Sequence, residues 1–159
     1  MDQTTKLYLE RADNEIVLSK IILDISDEDE LKEQFKVDTI RTFYSGVISH
    51  AYYAIFYAAK AYLTSKKIKT EMPHEHNKVY VEFKKFVKKG ILAKELLELY
   101  EDVSLKAEVL LKILHEEKRN RRIFTYEQLP QANRKPAIES LENAQRFYKH
   151  LHGILSKEN

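Results

Sequence analysis

Residues 39–66 read TIRTFYSGVISHAYYAIFYAAKAYLTSK, and a helix drawn through them carries apolar or aromatic side chains on almost every side. Ile40, Phe43, Val47, Ala54, Ala58 and Ala61 make one face, and Tyr44, Ile48, Ala51, Ile55 and Tyr62 make the next. A helix that is apolar nearly all round has to be enclosed by other helices, and its alanines let them approach closely. This stretch predicts the central, most buried helix of a bundle and decides the fold class as all-α.

The flanking segments supply the enclosing helices. Leu9, Ala12, Ile16 and Leu23 recur at helical spacing and predict an amphipathic helix over residues 6–24. Asp27, Glu28, Asp29 and Glu30 follow. Adjacent side chains on a helix diverge, so this run is a poor cation cage. Acidic residues in the first turn of a short helix, favoured by its dipole, account for it better. A Lys-rich loop then leads to Pro73, placed like the first residue of a helix. Val79, Phe83 and Phe86 give the next apolar stripe, and Gly90 is its stop. Leu96, Tyr100, Val103, Ala107, Leu110 and Leu114 mark a fourth long helix running to Arg119. Residues 125–133 read as a loop. Pro136 opens a last helix with Ile138, Leu141, Gln145, Tyr148 and Leu155 along one side. No repeat or linker divides the chain, so a single domain is expected over residues 1–159, an antiparallel up-and-down bundle of four to five helices.

Composition agrees. Three Gly and three Pro in 159 residues leave little turn chemistry for a β fold. The absence of Cys excludes disulfides, thiol catalysis and Cys-ligated zinc. The apolar run around Tyr52 to Tyr62 is short, tyrosine-rich and interrupted by Lys60, which argues against a membrane span. Residues 1–10 mix charges and lack the apolar core of a signal peptide, so a cytoplasmic protein is expected. The formal net charge of +2 hides an asymmetry: residues 1–38 carry −6 and residues 60–94 carry +7. The basic segment suits a phosphate backbone or an acidic protein, or is simply a set of solvated helix faces.

Three isolated glycines build neither a P-loop nor a dinucleotide turn, and no Gly-x-Ser-x-Gly elbow occurs. His74 and His76, like His150 and His152, are two residues apart and diverge on a helix, so polar residues at a helix start explain the first pair better than a metal does. No metal site or cofactor is expected. Tyr52, Tyr53 and Tyr57 lie on the central helix, where packing is the commoner role and base stacking the rarer. The informative stretch is Lys118-Arg119-Asn120-Arg121-Arg122-Ile123-Phe124-Thr125-Tyr126. A helix dipole accounts for one or two arginines at a C-terminus. Three arginines within four residues, followed by Phe124 and Tyr126, fit bidentate phosphate contacts instead.

Residues Ala51-Tyr52-Tyr53-Ala54-Ile55-Phe56 resemble the second-helix signature of the HEPN family, helical domains associated with RNA and nucleotides. The segments from His76 to Val79 and from Phe86 to Gly90 resemble that family's next helix. The resemblance covers roughly residues 6–152. The family's functional motif is an Arg, a polar residue and, after four to six intervening positions, a His, with a trailing Tyr in some members. Arg119, Asn120 and Tyr126 match it, whereas the His position holds Phe124.

What the resemblance implies is a homodimer in which two motif copies face one cleft, and in active members a metal-independent ribonuclease. There Arg and His help the RNA 2′-OH attack the adjacent phosphate, which needs a group titrating near neutrality and a fixed cation. Phe124 moves no proton. His115, four residues before Arg119 and so on the same helical face, is the candidate substitute base. In some members the tyrosine matching Tyr126 is nucleotidylated by a partner nucleotidyltransferase. Three readings follow. The first is a non-catalytic or weakly active RNA- or nucleotide-binding member of a toxin–antitoxin or defence pair, using Arg119, Asn120, Arg121, Arg122 and Tyr126. The second is an endoribonuclease using Arg119 and His115. The third is a helical adaptor whose arginines bind an acidic protein.

Overall fold

The computed structural model describes residues 1–119 and 134–157, with side chains for 1–110 and 134–157. Six helices occupy the described residues: α1 (Gln3–Asp27), α2 (Asp29–Gln34), α3 (Tyr44–Ser65), α4 (Glu75–Lys88), α5 (Lys94–Arg119) and α6 (Arg134–Lys157). Among the described residues there is no strand, and no helix is long and apolar enough to cross a membrane.

α3 is the hub. Twelve of its 22 residues are buried, the largest number among the described side chains of any helix, and it packs on α1, α4, α5 and α6. Val47, Ala51, Ala54, Ile55, Ala58, Ala59, Ala61 and Leu63 are fully enclosed. The lysine that interrupts this run is accommodated at the edge: Lys60 lies over the Tyr8 ring, 4.4 Å from its centroid, and pairs with Glu75. α1 runs against α3 in the opposite sense, with Tyr44 beside Asp27, Glu15 beside His50 and Tyr8 beside Tyr57. Glu95, Asp102 and Lys106 of α5 meet Arg146, Asn143 and Glu139 of α6, again antiparallel. The four long helices thus alternate in direction. α4 starts beside Phe56 and Lys60 and carries Phe83 and Phe86 to Tyr62, so the connector before it doubles back along α3.

The Asp2 carboxylate begins α1 by accepting the Thr5 backbone N–H at 2.8 Å. Asp29 and Glu30 occupy the first turn of the short α2, as the acidic run predicted. Gly90 follows the C-cap of α4 with φ +71, the left-handed conformation that glycine adopts without a Cβ clash.

Several boundaries differ from the sequence reading, each for a local reason. α3 begins at Tyr44, because the backbone before it is spent elsewhere: the Phe43 N–H donates to the Ser26 hydroxyl at 2.8 Å, and the Thr39 carbonyl accepts from the buried Lys32 ammonium at 2.8 Å. Ile40 therefore lies outside the helix, 72% exposed. Pro73 is not the first residue of α4. His74, with φ +61, follows it, and the helix starts where Glu75 meets Lys60 and His76 meets Phe56. α6 begins two residues before Pro136. Its buried side is Ala137, Ser140, Leu141, Ala144, Phe147, Leu151 and Leu155, and Gln145 faces solvent. The expected stripe shares Leu141 and Leu155 with that side, and Ala137, Ser140 and Ala144 complete it as small contact residues.

Candidate functional site

The arginine-rich stretch divides at the end of α5. That helix continues unbroken through His115 to Arg119, so the four-residue spacing keeps both on one helical face. The side chains of residues 111–119 are outside the described set. Asn120, Arg121, Arg122, Phe124, Tyr126 and the loop over residues 125–133 lie outside the described residues altogether.

Two of the basic residues of α4, Lys84 and Lys85, have carboxylate partners. Lys84 donates to Glu101 at 3.1 Å and to the Tyr80 hydroxyl at 2.8 Å, and Lys85 pairs with Glu82 at 2.6 Å. Glu101 precedes Arg119 by about 27 Å of helix at 1.5 Å per residue.

The described residues do contain a cleft, of about 650 Å³, between α3, α4 and α5. Helical spacing builds each wall. Ser49, Tyr52 and Tyr53 come from one side of α3; His76, Asn77 and Tyr80 come from the first turns of α4; Tyr100, Glu101, Ser104 and Glu108 descend α5 at three- and four-residue steps. The volume lies within the roughly 300–1,000 Å³ of small-ligand sites.

His76 organises the outer wall. Its ring lies on Phe56, centroids 3.9 Å apart and planes 14° from parallel, and Tyr52 and Tyr53 flank it at 5.7 and 5.9 Å. Burial against these rings, and then Lys60, hold the imidazole pKa below its ordinary value. Burial, and then Tyr53 and Glu108, push the Tyr52 phenol up. The phenol therefore keeps its proton, and its hydroxyl shares a hydrogen bond with His76 Nδ1 at 2.9 Å.

The α5 wall is of another kind. The Tyr80 hydroxyl donates to Glu101 at 2.6 Å, and Lys84 joins both, so this corner is satisfied and the Glu101 carboxyl is held below its usual range by those hydrogen bonds. Tyr100 is 1% exposed, packed on Phe83 and Phe147, and burial drives its phenol pKa far upward. Its hydroxyl and that of Ser104, one turn on, are buried and have no hydrogen-bond partner among the described residues. Ser140 holds a third such hydroxyl but does not line the cleft. Glu108 makes no ion pair among the described residues. The cleft thus presents aromatic faces and the carboxylates of Glu101 and Glu108, and no Lys or Arg among its described lining residues. Among the described residues no three His, Asp or Glu side chains come together to hold a metal ion.

Sequence reasoning had assigned Tyr52 and Tyr53 mainly to packing, passed over Tyr100 as a stripe member and did not single out Ser104. The signal was present only in part. His76 and Tyr52 belong to different helices, and nothing local marks them as partners.

Comparison with curated proteins and with solved structures gave no match. The sequence profile of the HEPN domain matches residues 28–154, which spans the short α2, the hub helix, all three cleft walls and most of α6. With four-fifths of its length matched and its fold an all-α bundle, the chain belongs to the HEPN domain family.

Proposed function

We propose that this HEPN domain binds RNA or a nucleotide through Arg119, Arg121 and Arg122, with Asn120 and Tyr126 beside them, and that it binds without cleaving. The observation that supports this reading best is the aromatic cleft on α5, the helix that leads to Arg119. Glu108 at its rim precedes Arg119 by about 16 Å of helix, so one strand of nucleic acid spans ring faces suited to bases and guanidinium forks suited to phosphate. Arginine stays charged at any working pH. Phe124 occupies the position of the family's His and has no proton to exchange, so phosphate binding survives where acid–base catalysis does not.

The domain acts as a homodimer beside a nucleotidyltransferase, in a toxin–antitoxin or defence pair. Leu105 and Val109, one turn apart on α5 and 60% and 46% exposed, support an apolar contact with a second copy. The experiment is binding of labelled RNA in chelator across a salt series. Arg119→Ala should weaken binding and lower the salt slope by about one phosphate contact. Cleavage by the natural protein in chelator that disappears in His115→Ala would replace this reading with the ribonuclease.

A further inference from the structure

We infer that the outer face of α1 is a contact for a second copy of this chain, laid antiparallel so that Leu7 of one copy sits between Ile21 and Ile25 of the other and Lys6 meets Asp24. This contact goes beyond the Leu105 and Val109 patch on α5, and it stands whether or not the domain binds RNA.

α1 is apolar on two sides. Leu9, Ala12 and Ile16 belong to the core. Half a turn away lie Leu7, Asn14, Val17, Leu18, Ile21 and Ile25. Leu7, Val17, Leu18 and Ile21 are 46, 50, 40 and 48% exposed, and Asn14 is open to solvent. A surface helix of a single bundle has one apolar stripe and a polar outer side. Four large apolar side chains on the outer side therefore call for a partner. Their spacing suits another helix: Leu7, Asn14 and Ile21 recur every seven residues, and Leu18 and Ile25 stand one turn beyond the last two. Arg11, the remaining position of that seam, is drawn off it over the Tyr57 ring, 5.6 Å from its centroid.

The charges beside the seam decide the partner and its direction. Lys6, Glu10, Lys20 and Asp24 lie along one flank, within about a quarter turn of each other. The ion pairs of α1 use Glu15 and Asp27. These four have none among the described residues, although Lys6 and Glu10, like Lys20 and Asp24, are one turn apart. Two copies laid in the same sense would set Lys6 against Lys6 and Asp24 against Asp24. Reversed about a two-fold axis near Glu15, Lys6 faces Asp24 and Glu10 faces Lys20, and each pair is made twice. The same register seats Leu7 between Ile21 and Ile25 and brings Asn14 against its own mate, where a polar pair fixes the register. A uniformly basic or acidic partner would match only half of this alternating flank. An anionic lipid surface is repelled by the −6 carried by residues 1–38.

The chain has no cysteine, so introduced thiols report this contact alone. Under oxidation at micromolar concentration, Asn14→Cys should form a disulfide-linked dimer, and Leu7→Cys mixed with Ile21→Cys should form a linked pair. Leu7→Cys by itself should not link, because in this register its two copies lie about 24 Å apart along the helices, far beyond disulfide reach. In sedimentation, Ile21→Asp should weaken the association by about a hundredfold or more, since it carries two charges into an apolar seam. Lys6→Glu should weaken it by about three- to thirtyfold. Lys6→Glu combined with Asp24→Lys should restore it, which separates an ion pair across the contact from a disturbed fold. Leu105→Asp removes the α5 contact and should leave the Asn14→Cys link unchanged, so the two self-contacts fail separately. Self-linking of Leu7→Cys would reveal a parallel contact and overturn the antiparallel one. No link from any of these thiols, or an Asn14→Cys link that survives both Ile21→Asp and Lys6→Glu unchanged, would overturn the proposal as well.

Discussion

The α1–α3 seam and the α3–α4–α5 cleft share one helix and are finished in opposite ways. At the seam small and branched residues close the gap, with Ala12, Ala51, Ala54 and Ala58 wholly enclosed. Each buried hydroxyl there is used. Ser19 donates to the Val47 carbonyl at 2.9 Å, and Ser26 both donates to the Ile22 carbonyl and accepts the Phe43 N–H, each at 2.8 Å. At the cleft, aromatic rings keep the helices apart, and two hydroxyls stay unmet. The same helix provides both surfaces, with Val47 and Tyr57 meeting α1 and Tyr52 and Tyr53 lining the cleft. Close packing builds the bundle, and incomplete packing leaves room for a ligand.

The largest expected effect breaks the close-packed side of α3. Ile48, 1% exposed, leaves a cavity on conversion to Ala. Ile48→Ala should lower unfolding free energy by about 2–5 kcal/mol in urea titration. A loss well under about 1 kcal/mol would show that this side collapses freely and is not close-packed.

A smaller effect compares hydroxyls directly. Ser19→Ala should cost about 1 kcal/mol, the net worth of a made hydrogen bond. Ser104→Ala should cost nothing or stabilise, since it removes a group without a partner. Equal losses in the two variants would erase the contrast.

How much of this was legible follows the same division. The hub helix, the stripe over Leu9, Ala12 and Ile16, and the stop at Gly90 were all readable, because periodicity and special backbone geometry are local signals. Ile40 and Phe43 misled, since only the distant Ser26 and Lys32 show that the backbone before Tyr44 is already engaged. The start of α4 is likewise set by Lys60 and Phe56. Of the candidate site, Arg119 and His115 were legible as helical neighbours, but the cleft was not. It depends on His76 folding back onto Phe56, a contact between residues 20 apart that no motif encodes.

The smallest effects are in pH dependence, and the two regions respond differently. Asp27 receives the Tyr44 hydroxyl at 2.6 Å and the Arg134 guanidinium at 2.8 Å. The Arg134 hydrogen bonds, aided by Tyr44, hold its carboxyl below the ordinary 3.8 despite some burial. Its contribution to stability is present above 3.8 and lost as pH falls through the lower folded value. His76 has its folded value below 6.5, so the unfolded chain takes up the proton first. Stability should therefore be full above 6.5 and decline as pH drops beneath it. Unfolding midpoints measured against pH should show both limbs, Asp27→Asn flattening the acid one and His76→Gln the one nearer neutrality. A His76→Gln profile identical to the natural one would remove the imidazole from the account of the cleft wall.

The enclosure of α3 also has a schedule. Most of its cover comes from α1, which precedes it, and from α6, which is made after α4 and α5. Chains leave the ribosome N-terminus first, at roughly 5–20 residues per second. For several seconds the nascent chain can pair α1 with α3 but lacks the cover that α6 supplies. A message truncated before residue 134 would release a chain with that apolar side bare, a substrate for chaperones and proteases. Synthesis, more than the finished fold, is when this protein is most open to aggregation.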